Sequence, residues 1–346
     1  MASEKVTSLE VARHAGVSQS AVSRVFTPGA SVSKKTEEKV KKAALELDYR
    51  PNSLARAMVS GKSRIIGLVV AYLNNQFYPD ALEKLSNSLQ ERGYHVLIFM
   101  ASNSAGSIDN VIDEILDYQV DGIIAASVAL SSDLSERCRA AGVPIVLFNR
   151  SQESDNLPYV TSDNYAGGAK VADFLISSGH KKIGYIAGWE GASTQRDREA
   201  GFMDELKRGG MSLHARGVGN FTAEKAAEAT RQMFDCPSDE RPDAVFVAND
   251  HMAFAVMDTL RFDLGLSVPE DISVVGYDDV PVASWPAYNL TTVRQPANRM
   301  VSATVDMLLN SIKGLDQETS QLEIDGPLII RGSARVHEGW ENEHVW

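Results

Sequence analysis

Apolar positions along this chain follow two different periods, and the change of period divides it. Between residues 7 and 47 they recur at helical spacing: Leu9 and Ala12, then Val22 and Val25, then Val40, Ala43, Ala44 and Leu47. Thr7 followed by Glu10 has the form of a capping box, Gly16 permits a turn, and Ser18 and Ser33 stand where N-caps belong. The pattern predicts three short helices, the first two joined at Gly16 as a helix-turn-helix. From Ile65 the texture becomes short β-rich runs separated by helical stretches such as Leu82, Leu85 and Leu89. The first set is IIGLVV, YHVLIFM, DGIIAAS and PIVLFN, and the second is KKIGYIAG, DAVFVAND and ISVVGYDD. Helices in the second half are predicted around residues 166–177, 198–208, 223–234 and 251–262. Alternating strands and helices imply parallel βαβ units, so two consecutive sets predict two Rossmann-like lobes.

Between the two regions, Arg50-Pro51 breaks the third helix, and PNSLARAMVSG holds enough helix formers for barely two turns before Gly61. A helix that short needs a partner to order, and apolar Ala55 and Met58 suit a wedge into a minor groove. The expected organisation is a DNA-binding domain over 1–50, a hinge helix and linker over 51–63, and a core over 64–346.

Charge sharpens this picture. The 346 residues carry a net −12, which taken alone argues against a nucleic-acid partner, yet the charges are unevenly spread. Residues 1–64 hold 12 Lys/Arg against 6 Asp/Glu, and the remainder 22 against 40. A basic end can meet phosphates while the acidic bulk stays clear of them. On the second helix, Gln19, Ser20, Ser23 and Arg24, with the cap Ser18, form an outward face of hydrogen-bonding groups. Arg24 is able to make a two-pronged contact to guanine in a major groove.

Other classes fit poorly. No apolar stretch is long enough to span a bilayer, and the opening MASEKVTSLE has no secretory pattern, so a cytoplasmic protein without a membrane partner is expected. Cys138 and Cys236 stand far apart outside any metal-ligand spacing, which suggests free thiols. The chain shows no phosphate-binding glycine fingerprint, P-loop, nucleophile elbow or histidine pair, so neither an enzyme nor a cofactor is expected.

In open parallel sheets, ligands gather outside the carboxyl ends of the strands. That rule selects Asn149 at the end of PIVLFN, Asn249 and Asp250 at the end of AVFVAND, and Asp278 and Asp279 at the end of VVGYDD. Such groups can grip a hydroxylated small molecule between the lobes, although Asn and Asp also serve as turn and cap residues.

The order VARHAGVSQSAVSRVF, VSKKTEEKV, DYRPNSLARAM, SRIIGLVV resembles the lactose-repressor (LacI/GalR) family of bacterial transcription regulators, and the match continues through the core. The resemblance implies base reading by Gln19, Ser20 and Arg24. It also implies an inserting apolar residue at Met58, where the family carries leucine. The implied core is like the periplasmic sugar-binding proteins, with an effector in the cleft. RDREAGF then gives Arg198, the ND pair Asn249, GYDD Asp278, and GNFTAE the aromatic Phe221. Where the family often reads Asn-Pro-Phe, this chain has Asn75-Gln76-Phe77-Tyr78, which makes Phe77 and Tyr78 wall candidates. The resemblance also implies three strands crossing between lobes near 161–164, 291–294 and 321–324, a helix over 300–312 returning to the first lobe, and GPLIIRGSAR as the final strand. One lobe then takes about 64–162 and 293–322, and the other about 163–292 and 323–340. The tail EGWENEHVW lacks leucine heptads, so a homodimer is expected. The implied function is a regulator, a repressor by preference, that binds a palindromic operator under control of a small-molecule effector. A sugar or sugar acid is the first candidate, with a purine corepressor or a protein partner as alternatives.

Overall fold

The computed structural model describes residues 6–27, 30–50, 62–71, 73–101, 107–128, 132–152, 157–315 and 320–337. It separates into two compact units, 1–63 and 64–346. The segment 51–61, with the candidate hinge residues Ala55 and Met58, lies outside the described residues.

The first unit holds α1 (Ser8–Ala15), α2 (Gln19–Val25) and α3 (Lys34–Glu46). Thr7 and Glu10 form the full capping box: the Thr7 amide donates to Glu10 Oε2 at 2.7 Å, and the Glu10 amide donates to Thr7 Oγ1 at 3.4 Å. Gly16 takes φ +64°, which a side chain would strain. Ser18 and Ser33 cap α2 and α3 through the amides of Ala21 and Thr36, each at 3.2 Å. The core is small: Val11, Ala12, Val22, Val40, Ala43 and Ala44. Leu9 departs from expectation, being 44% exposed, because α1 turns Val11 inward together with Ala12.

The second unit contains two six-stranded sheets. In the first, β1 (Ile65–Val70), β2 (His95–Met100), β3 (Gly122–Ala126), β4 (Ile145–Phe148), β5 (Tyr159–Ser162) and β11 (Gln321–Ile324) are all parallel, in the order β11-β5-β4-β3-β1-β2. The second takes β6 (Ile183–Ala187), β7 (Ala215–Val218), β8 (Ala244–Val247), β9 (Ser273–Asp278), β10 (Thr291–Arg294) and β12 (Leu328–Ile329), in the order β12-β10-β9-β8-β6-β7. Only β12 runs antiparallel, against β10. Helices α4 (Phe77–Glu91), α5 (Ser107–Asp117), α6 (Ser132–Ala140) and α11 (Ala297–Ile312) pack on the first sheet; α7 (Asn164–Ser177), α8 (Ser193–Arg208), α9 (Ala223–Phe234) and α10 (Asp250–Asp258) belong with the second.

The chain passes between sheets three times: at Asp163, at Gln295-Pro296, and between β11 and β12. The middle passage follows β10 rather than coinciding with it, since Thr291–Arg294 pairs in full with β9. Two of the expected helices differ in extent from the sequence pattern. Helix α8 begins at Ser193, five residues before Arg198, and α10 gives way to a π-turn over Thr259–Asp263.

Candidate functional site

In the first unit, Ser18, Gln19, Ser20, Ser23 and Arg24 are all exposed on or beside α2, while Val22 of the same helix is fully buried. Their side chains are held locally. Gln19 Nε2 donates to Ser8 Oγ at 3.0 Å, Ser18 and Ser20 share a 3.0 Å hydroxyl contact, and Arg24 Nε reaches the Ser20 carbonyl at 3.4 Å. These are exposed contacts that cost little to exchange for others. Across α3, Lys41 pairs with Glu37 at 2.6 Å and Lys42 with Glu46 at 3.8 Å, so these two lysines are neutralised by their own helix.

In the second unit, a cavity of about 300 Å³ lies between the two sheets at the carboxyl ends of their strands. Six of the seven predicted effector residues line it: Tyr78, Asn149, Arg198, Phe221, Asn249 and Asp278. Phe77 does not. Its ring lies parallel to Phe148 at 6.2 Å inside the core of the first sheet, because the first turn of α4 directs one aromatic into the sheet as it presents the next to the cleft.

Several of these residues hold strained backbone. Ser127 (φ +59°), Asn149 (φ +55°), Phe221 (φ +59°) and Asp278 (φ +127°) all leave strand or loop ends in the left-handed half of φ space. A non-glycine residue there costs of order 1–3 kcal/mol, and such positions gather at binding sites.

Arg198 is 2% exposed. It donates through Nε (3.1 Å) and Nη2 (2.7 Å) to Asn164 Oδ1 and through Nη1 to the Ala248 carbonyl, and its guanidinium lies 3.4 Å over the Tyr277 ring. Asp278, also buried, accepts from Gln295 Nε2 at 2.6 Å and from Asn75 Nδ2 at 3.1 Å, the latter bond joining the two lobes. Burial raises the Asp278 pKa, and the nearby Arg198 charge opposes that rise. Behind it, fully buried Asp250 accepts from Thr292 Oγ1 at 2.6 Å and the Val280 amide at 3.0 Å; burial and the Asp278 charge together raise its pKa.

Asn149 Nδ2 donates to the Tyr78 hydroxyl at 3.1 Å, but Asn149 Oδ1 accepts nothing, and Gln295 Oε1 is equally without a donor among the described residues. Both residues are 4% exposed and both line the cavity. An unpaired buried acceptor is costly, so two in one wall mark places where a ligand's donors belong. Asn249 uses its Oδ1 to cap α10 through the Met252 amide at 3.0 Å, so the cap reading and the lining reading both hold for it.

Sequence reasoning passed over Asn75, Ser127, Thr194, Glu224, His251 and Gln295, which also line the cavity. Ser127 ends DGIIAAS and Gln295 follows TTVR, so the strand-end rule that selected Asn149 reaches both when applied to every strand. Thr194 carried no such signal, since the polar first turn of α8 has no apolar rhythm.

A helix-turn-helix with its second helix free, joined to two parallel-sheet lobes that enclose a polar cavity, defines a ligand-responsive DNA-binding protein. Comparisons with known proteins agree. Residues 8–52 match the bacterial regulatory proteins of the lacI family, and residues 172–334 match the periplasmic binding protein-like domain. The chain is 31% identical to the HTH-type transcriptional repressor PurR of Vibrio atlanticus (strain LGP32), over 94% of this chain and 98% of that protein. It is 30% identical to the ribose operon repressor of Escherichia coli (strain K12), covering 95% and 99%. Its fold superimposes on the lac repressor dimer bound to operator and the anti-inducer ONPF with a TM-score of 0.86, at 29% identity, covering 95% and 99%. This chain belongs to the lacI family.

Proposed function

We propose that the protein is a transcriptional repressor that reads a palindromic operator as a homodimer, its hold on DNA set by a polyhydroxylated small molecule in the cavity between the lobes. The DNA-binding part of this reading rests on family membership and on the free polar face of α2. Gln19, Ser20 and Arg24 are the base-reading candidates, with Ser18 and Ser23 at the edge of the same face. A single three-helix module reads few bases, and a two-fold pair reads an inverted repeat. Edge strand β2 exposes Ile98 (54%) and Met100 (51%), apolar surface that a second copy can cover.

The single observation carrying the ligand class is the pair of unpartnered amide oxygens, Asn149 Oδ1 and Gln295 Oε1. Together with the Asp278 carboxylate they present acceptors, and Arg198, with three of its N–H bonds occupied, retains donors. Adjacent hydroxyl groups satisfy both at once, each accepting from one neighbour and donating to another. A flat heterocycle between Tyr78 and Phe221 fits less well, because Tyr78 is 7% exposed and bonded through its hydroxyl, which leaves Phe221 as the more open ring.

The test is thermal unfolding of the full chain against sugars, sugar acids and purines, since a ligand selective for the folded state raises the midpoint. A rise with a sugar or sugar acid that Asn149→Ala abolishes supports the proposal. A rise confined to purines, or one indifferent to Asn149→Ala, overturns the ligand assignment.

A further inference from the structure

The charges around the cavity between the lobes narrow what it can hold. Among the described residues that line it, Arg198 is the one arginine or lysine, set against two carboxylates, Asp278 and Glu224. Arg198 is already committed. Asn164 Oδ1 and the Ala248 carbonyl take three of its N–H bonds, and Asp278 answers its charge. What it retains suits a neutral hydroxyl oxygen rather than a further anion. His251 adds no positive charge, because burial lowers its pKa and the nearby Glu224 only partly opposes that fall.

Glu224 therefore stands as the unbalanced charge of the cavity. It lies in the first turn of α9, three residues after Phe221, and makes no hydrogen bond or ion pair among the described residues. Thr222 caps that helix through the Lys225 amide at 3.4 Å, so the glutamate side chain is not spent as a cap. Phe221 is half-buried, and a Cβ placed on Gly188 would come within 2.1 Å of its ring, so the ring is seated against bare backbone while it lines the cavity. A cation is attracted both by a carboxylate and by an aromatic face within about 6 Å. Independently of these charges, the buried oxygens Asn149 Oδ1 and Gln295 Oε1 lack donors in the same cavity. Both require N–H or O–H groups, which a carboxylate or phosphate does not bring.

Building on the reading of this cavity as the site of a polyhydroxylated effector, we infer that the effector is an amino sugar, its ammonium group between the Glu224 carboxylate and the Phe221 ring. Its hydroxyl groups then serve Asn149, Gln295, Asp278 and Arg198. A sugar acid or sugar phosphate brings a charge that Glu224 repels and that Arg198, already answered by Asp278, does not balance.

The experiment measures thermal unfolding of the full chain, titrated at constant ionic strength with matched sets built on glucose, galactose and mannose. Each set holds the hexose, its 2-amino sugar, its uronic acid and its 6-phosphate, in slightly acidic buffer where the amine is protonated. In at least one set the amino sugar is expected to raise the midpoint at roughly tenfold lower concentration than the parent hexose, with the acid and the phosphate weaker than the hexose. Glu224→Gln, at an exposed position, removes that advantage, so that amino sugar and hexose respond alike. The inference is overturned when an acid or phosphate matches its amino sugar, when the amino sugar gains nothing over the hexose, or when the advantage survives Glu224→Gln; in each case a hexose response leaves the polyhydroxylated effector standing. Silence from every amino sugar also overturns it, while the reading of the cavity is judged on the wider panel described above.

Discussion

Replacing Gly168 by alanine tests how the effector site is held. Helices α7 and α8 cross with glycine on both sides. A Cβ placed on Gly168 would lie 2.0 Å from the Arg198 carbonyl oxygen and 3.0 Å from the Phe202 amide nitrogen, and one on Gly201 would lie 2.0 Å from the Tyr165 carbonyl oxygen. All of these obstacles are backbone, so no rotamer change relieves them. Carbon and carbonyl oxygen approach to about 3.3 Å at closest, so Gly168→Ala requires the helices to separate by roughly 1.3 Å. Arg198 rides on α8 and would be drawn from Asn164 Oδ1, now 2.7 Å away, beyond hydrogen-bond reach. Overpacking a core costs about 1–3 kcal/mol, and a backbone-on-backbone clash belongs at the upper end. With a further hydrogen bond lost, the total is about 4 kcal/mol. For a unit of this size that lowers the unfolding midpoint by roughly 8–16 °C. Differential scanning calorimetry of the full chain reads the change directly. A midpoint within 2 °C of the parent would refute the argument that this crossing is closed to a single methyl group.

Three further outcomes follow from particular side chains. Arg24→Ala should cost about 1–3 kcal/mol at one base position of each half-site and little on random duplex, measured by anisotropy with both DNAs; equal losses on the two would count against base reading. Asp250, driven by burial and by Asp278 from 3.8 to about 8, holds a proton in the folded protein that the unfolded chain releases. Stability from this group therefore falls as pH rises from about 4 to about 8, and Asp250→Asn should gain on the parent across that window; parallel midpoint curves would contradict this. Cys138, buried and with its thiol raised to about 11, should react with a disulfide reagent only on unfolding, while half-exposed Cys236 reacts in the native protein; two fast thiols would show the core around Cys138 to be open.

Much of this arrangement was legible in residue order because its signals are local. Thr7, Glu10, Gly16, Ser18 and Ser33 fix helix ends by chemistry within three residues, and the strands Ile65–Val70, Gly122–Ala126 and Ile145–Phe148 are apolar throughout because both sheet faces are covered. The strand-end rule found Asn149, Asn249 and Asp278 without knowledge of the fold. Sequence was silent where tertiary contact decides. The first turn of α8, Ser193-Thr194-Gln195, is buried yet polar, with Gln195 Oε1 accepting from the Gly188 amide at 2.6 Å and the Tyr185 hydroxyl at 3.0 Å, so no periodicity announces it. Edge strand β7, ARGV, alternates in burial and is too short to stand out. Neighbouring Phe77 and Tyr78 look equivalent in sequence, and only the direction of α4 sends one to Phe148 and the other to Asn149.

Selection of duplexes from a random-sequence pool by the full-length protein asks for specificity and symmetry of DNA reading together. The expected result is enrichment of one inverted repeat, with half-sites spaced as a two-fold pair of α2 helices requires. A pool that stays unenriched, or a consensus without two-fold symmetry, would contradict it.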